Sequence, residues 1–194
     1  MCGWSQALAA SSVALEQFCL LAKSARDRAA AELIKQALSN KKVFVVGELL
    51  AMPNMQALAG TEYANYFNLL ELFAYGTFSD YVQGRDKFPE LTEYQTMKLR
   101  QLSIVSLAHR QKQVPYDVLR TELGINNVRE LEDLIIDTMY SGLITGKMDQ
   151  AHAVLKIKSA IPRDVRMADE VRPSFLCVAT PNPPCPFRPH DDEI

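Results

Sequence analysis

The apolar pattern of this chain changes period once, near Val114, and that change limits the folds open to it. From about Val13 to Lys112 the apolar residues recur every three or four positions, the spacing of helices that each bury one face. After Val114 the elements shorten and alternate. The order becomes an extended run, a helix, a turn, a second helix and two strand-like runs. A chain of 194 residues with 48% hydrophobic residues can bury a sizeable core across both parts.

In the first part, Val13 to Ala22 reads as a short apolar helix. Arg26 to Asn40 is a clearer one, with Ala29, Ala30, Leu33, Ile34, Ala37 and Leu38 on its apolar side. Val43 to Val46 fits either a strand or a buried connector. Gly47 to Leu50 predicts a helical turn that stops before Pro53. Thr61 to Tyr75 is apolar on more than one face, which places it centrally, and Gly76 ends it. Pro89 marks a loop. Thr92 and Gln95 match a capping box, in which each side chain satisfies a backbone N–H of the other residue. The helix they open runs to His109 and buries Met97, Leu99, Leu102, Val105 and Leu107. His109, Arg110 and Lys112 suit the negative pole at its end.

The second part predicts a winged helix, the helix-turn-helix variant with a terminal hairpin. Val114-Pro115-Tyr116 is extended, Asp117 to Leu123 is helical, and Gly124 follows as a stop. Asn127 caps a second helix from Val128 to Tyr140, which Gly142 terminates. Leu143 to Met148 and Val154 to Lys158 form the hairpin. The expected fold is therefore mainly α: an antiparallel helical bundle over residues 1–112, then a winged-helix module with a small β-hairpin over 113–166. Residues 167–194 hold six prolines and no apolar periodicity, and read as a disordered or extended tail.

Charge and composition exclude several functions. Lys+Arg is 21 against 23 for Asp+Glu, so nothing global attracts nucleic acid or an anionic membrane. The four cysteines form no Cys-x-x-Cys pair, and reduced thiols are the plain reading. The first lysine is Lys23, so a secretory n-region is not expected, and no run approaches the length that spans a bilayer. These features lead to an expected location in cytoplasm and nucleus. His109, His152 and His190 are far apart and make no metal-binding spacing. Neither a Gly-x-Ser-x-Gly elbow nor a Gly-x-Gly phosphate loop occurs. The chain is expected to be no enzyme and to carry no cofactor.

Several segments carry a family likeness, in order from Leu15 to Arg166. They include Val45-Val46-Gly47-Glu48-Leu49-Leu50, Phe73-Ala74-Tyr75-Gly76-Thr77 and Lys98-Leu99-Arg100-Gln101-Leu102-Ser103. Val114-Pro115-Tyr116, the run from Asn127 to Ile135, and Ile161-Pro162-Arg163-Asp164 continue the series. Together they resemble the PCI-domain proteins, and within them the family of subunit seven of the COP-9 signalosome. The resemblance implies a scaffold subunit of a complex that removes a ubiquitin-like modifier from cullins, with the chemistry on another subunit. It also implies other PCI subunits as partners, with winged helices side by side in an arc. Family members continue into a long helix. The Pro-rich tail cannot form one, so contacts through the wing are expected to survive and anchorage through the central helical bundle of the complex is not.

A winged helix can also read DNA, through its second helix. Here that helix sets Arg129 against Glu130, Glu132, Asp133 and Asp137, a net of about −3, which repels phosphate. Projected at ~100° per residue, Val128, Leu131, Leu134, Ile135 and Met139 face the core. Arg129, Glu130, Asp133, Ile136, Asp137 and Tyr140 lie away from it. Aliphatic, aromatic and Arg side chains together suit a protein interface, or else Ile136 and Tyr140 pack under the bundle. The hairpin is a second candidate surface, made basic by Lys147, Lys156, Lys158, Arg163 and Arg166. Lys156 and Lys158 there complement an acidic neighbour or shield a solvated strand edge. Two other functions fit the same architecture: a PCI subunit of the proteasome lid or of a translation initiation factor, and a winged-helix nucleic-acid binder.

Overall fold

The computed structural model describes residues 14–164. Helix α1 covers residues 14–22 of that span. It is followed by α2 (Asp27–Ser39), α3 (Gly47–Leu50), α4 (Pro53–Gln56), a 3-10 turn (Ala57–Gly60), α5 (Ala64–Tyr75), α6 (Phe78–Gln83), a second 3-10 turn (Arg85–Lys87) and α7 (Glu93–Arg110). Then come β1 (Gln113–Pro115), α8 (Tyr116–Leu123), α9 (Val128–Tyr140), β2 (Ile144–Asp149) and β3 (Val154–Ala160). The expected Pro-rich tail lies outside the described residues.

Capping chemistry explains several boundaries. Thr92 and Gln95 form the expected capping box at the start of α7. Thr77 and Asp80 form another at the start of α6, a helix that the apolar period does not reveal because it has only six residues. Asn127 accepts the N–H of Arg129 and opens α9. Gly124 closes α8 at φ 60, a left-handed conformation that favours glycine. Val43 to Val46 is a connector, with Val43 and Val46 both buried. Pro53 occupies the first position of α4, where its missing N–H costs no helical bond.

The apolar side chains form two cores. The first joins α1 to α6 with the N-terminal half of α7, around Ile34, Leu38, Leu70, Phe73, Leu99 and Leu102. The second joins the C-terminal half of α7 with β1, α8, α9 and the sheet, around Ile104, Val105, Leu119, Leu131, Ile135 and Leu155. Helix α7 therefore belongs to both, and Phe44 packs against both. Three assignments of apolar residues to the core need correction. Met97 is 43% exposed, because the inward side of α7 is made by Lys98, Leu99, Leu102 and Val105. Val128 is also 43% exposed, because it begins α9 and extends beyond the packed turns. On α2, Ala29 is exposed and Ala31 is buried in its place.

The sheet is antiparallel with strand order β1-β3-β2. The hairpin thus gains β1 as a third strand, with Val114 paired to Leu155. A bulge at Thr145 and Gly146 shifts the register of β2. A Cβ on Gly146 would lie 2.4 Å from the carbonyl oxygen of Lys156, so only glycine fits there. Strand β2 remains an outer edge of the sheet.

A candidate protein interface on the winged helix

Helix α9 is fixed from below. Leu131, Leu134 and Ile135 are buried in the second core, and the Thr138 hydroxyl donates to the carbonyl of Leu134 at 2.6 Å. These positions set the rotation of the helix. They leave Arg129, Asp133, Ile136 and Tyr140 on the opposite stripe. Tyr140 is 87% exposed, so it does not pack under the bundle; Ile136 is half-buried. Glu130 lies on the flank facing α7.

The charges on this surface are partly neutralised within the chain. Arg129 Nε lies 3.9 Å from Asp133 Oδ2, one helical turn away. Arg100 Nη1 of α7 donates to Glu130 Oε1 at 3.3 Å. Asp137 has no ion-pair partner among the described residues. The outward surface is therefore acidic with one large aromatic.

One lysine of the hairpin is paired within it. Lys156 Nζ donates to Asp149 Oδ2 at 2.8 Å, and His152 Nδ1 lies 3.0 Å from Asp149 Oδ1. Lys156 first, and then His152, hold the Asp149 carboxyl below the usual carboxylate range. The charge of Lys156 is thus answered inside the hairpin. Lys158 is exposed, and Lys147 faces Lys156 across the strands.

Arg163 is not part of the wing surface. Its guanidinium enters the bundle, donating to Phe73 O at 3.0 Å, to Gly76 O and to the Ser106 hydroxyl. Burial lowers its pKa to about 10, against the opposing influence of Asp164 and Asp80. The C-terminus of α5 leaves unpaired carbonyls that a guanidinium fork can satisfy, an environment that sequence spacing cannot disclose. Arg166 lies outside the described residues.

The two candidate surfaces are neighbours. Gln150 Nε2 at the hairpin tip donates to Glu132 Oε1 of α9 at 3.2 Å. Among the described residues, no hydrogen bond or ion pair directly joins Lys156 or Lys158 to Arg129, Glu130, Asp133 or Tyr140. A furrow between α7 and α9 also lines this face, with Met97 and Arg100 on one wall. Sequence reasoning missed Met97 by assigning it to the core. The sequence carried no signal for this, since the exposure of Met97 goes with the inward turn of Lys98 beside it. Among the described residues, no group of three or more His, Cys, Asp or Glu could hold a metal ion, and no helix is long and apolar enough to cross a membrane.

Known families match segments in both parts of the chain. Residues 16–45 match the CSN7 helical bundle subdomain, and residues 77–159 match the PCI domain. The chain is 50% identical over 153 residues to COP9 signalosome complex subunit 7 of Dictyostelium discoideum, covering 79% of this chain and 59% of that protein. It is 47% identical over 154 residues to subunit 7a of Pongo abelii, covering 79% and 56%. It is 40% identical over 153 residues to subunit 7 of Arabidopsis thaliana, covering 78% and 59%. The chain thus spans less than two thirds of the length of these relatives. With a mainly helical bundle running into a winged helix, and these matches along it, the chain belongs to the COP9 signalosome subunit 7 family of PCI-domain proteins.

Proposed function

We propose that the chain is a non-catalytic assembly subunit of the COP9 signalosome, holding neighbouring PCI subunits in register. On this reading it serves cullin deneddylation only through the complex, in cytoplasm and nucleus. Its mechanism is burial of complementary surface, with no bond-making step and no small-molecule substrate. Residues 1–112 and 113–166 act as one PCI domain, joined through α7.

One observation carries the reading. The helix that a DNA-reading winged helix would insert into a groove here exposes Tyr140 at 87% among Glu130, Asp133 and Asp137. Carboxylates repel a phosphate backbone, whereas an exposed aromatic beside mixed charges suits a protein surface. The outer edge of β2 and the exposed Lys158 supply a second contact, by strand pairing or charge.

Retention of the purified chain on immobilised PCI subunits of the signalosome tests this. Binding is expected, weakened by Tyr140→Ala with unchanged circular dichroism. A chain that keeps its helical signal and retains no PCI subunit would refute the proposal.

A further inference from the structure

Two hollows of about 370 Å³ and about 480 Å³ lie between α7 and α9. They share Met97 and Asp137 and so adjoin along one furrow. It follows α9 from Asn127 to Ser141, a length of ~20 Å for a helix of this size. Met97 and Tyr140 offer apolar surface along it, at 43% and 87% exposure.

The charges along the furrow are unequal in what they still need. Glu130 is paired with Arg100, and Asp133 with Arg129. Asp137, at the waist shared by both hollows, has no ion pair among the described residues. Of the two lysines that line the second hollow, Lys98 turns its amine inward, to the carbonyls of Leu38 and Asn40, and the amine of exposed Lys41 lies 6.0 Å from the centre of the Tyr94 ring, with no ion pair to Asp137. The waist thus presents one unanswered carboxylate beside two apolar anchors.

We infer that this furrow receives an amphipathic helix of a partner subunit, with an apolar stripe on Met97 and Tyr140 and a Lys or Arg against Asp137. The inference rests on the assembly reading and names the kind of partner that reading needs. A helix fits better than a strand because, apart from Lys41 and Phe44 of the connector at the second hollow, the walls are the helices α7 and α9. Their mid-helix backbone groups are already bonded within each helix, so an extended peptide finds no ladder to join.

The test uses the full chain co-expressed with the remaining signalosome subunits. A p-benzoylphenylalanine residue replaces Tyr140 in one sample, and Asp137→Arg is made in another. The expected adduct maps to a helical segment of another subunit that carries Lys or Arg beside its apolar stripe. Asp137→Arg is expected to weaken co-purification about tenfold, as loss of an interface centre does. Val82→Ser, at an exposed apolar residue outside the furrow, is expected to leave co-purification unchanged. Adducts to a strand, to a segment without a cation or to a second copy of this chain would overturn the inference. So would equal recovery of Asp137→Arg and the unaltered chain. Either result would leave the assembly reading standing, because the unaltered chain still co-purifies. Failure of the unaltered chain itself to co-purify would overturn both.

Discussion

Asp164 Oδ2 accepts the backbone N–H of Gly47 at 2.9 Å, across 117 residues of sequence. The same oxygen accepts the N–H of Val46, also at 2.9 Å. The segment leaving the winged helix therefore caps a helix of the bundle, satisfying two N–H groups that α3 cannot bond internally. Burial pushes the Asp164 carboxyl up, while the two N–H groups and Arg163 pull it down.

Asp164→Ala is expected to lower stability by about 2 kcal/mol, because two partly buried N–H groups lose their acceptor. Asp164→Asn keeps an acceptor oxygen and removes the buried charge, so its cost is expected to be smaller. Urea unfolding of the three proteins checks the order. Equal loss in both variants would mean that the charge, and not the acceptor, secures the contact.

Gly47 and Asp164 are also coupled by space. A Cβ on Gly47 would lie 2.4 Å from Asp164 Oδ1. Gly47→Ala is expected to cost about 1–2 kcal/mol in the native background. In an Asp164→Ala background the obstacle is gone, and alanine's better helix propensity offsets the rest. A double-mutant cycle should then show strong non-additivity. Additive effects would place the strain elsewhere.

The fold was legible wherever local chemistry decides it. The bounds of α9 follow from Asn127 at one end and Gly142 beyond the other, and α7 follows from Thr92 and Gln95. Helix α6 was readable in principle, since Thr77 and Asp80 have capping-box spacing, but six residues give no apolar period. The candidate interface was legible on α9 because buried Leu131, Leu134 and Ile135 dictate which residues point away. It was less legible at the hairpin. Lys156 is neutralised by Asp149, and Arg163 is withdrawn into the bundle, and both outcomes depend on tertiary neighbours. Met97 and Val128 are apolar yet exposed, which binary patterning cannot anticipate.

Tyr116 illustrates a different consequence of packing. It is buried in the second core, yet its hydroxyl has no hydrogen-bond partner among the described residues. A phenol oxygen removed from water without compensation is destabilising. Tyr116→Phe is thus expected to leave thermal stability unchanged or to raise it by up to about 1 kcal/mol. A clear loss on differential scanning calorimetry would show that the hydroxyl is satisfied by water.

Lys98 gives the prediction with the sharpest pH dependence. It is 1% exposed, and its amine donates to Leu38 O at 3.0 Å and Asn40 O at 2.9 Å, at the end of α2. The Phe44 ring lies 5.6 Å away. Burial lowers its pKa to about 7. Between that value and the ordinary lysine range near ~10.4, the unfolded chain holds a proton that the folded chain has released. Stability contributed by Lys98 therefore rises with pH across this window, approaching ~1 kcal/mol per pH unit. Below about 7 both states are protonated, and the dependence vanishes. Lys98→Met removes the titration and should flatten the curve between pH 7 and 10 relative to the unaltered chain. Parallel curves for the two proteins would mean that the buried amine stays protonated, held by its two carbonyls.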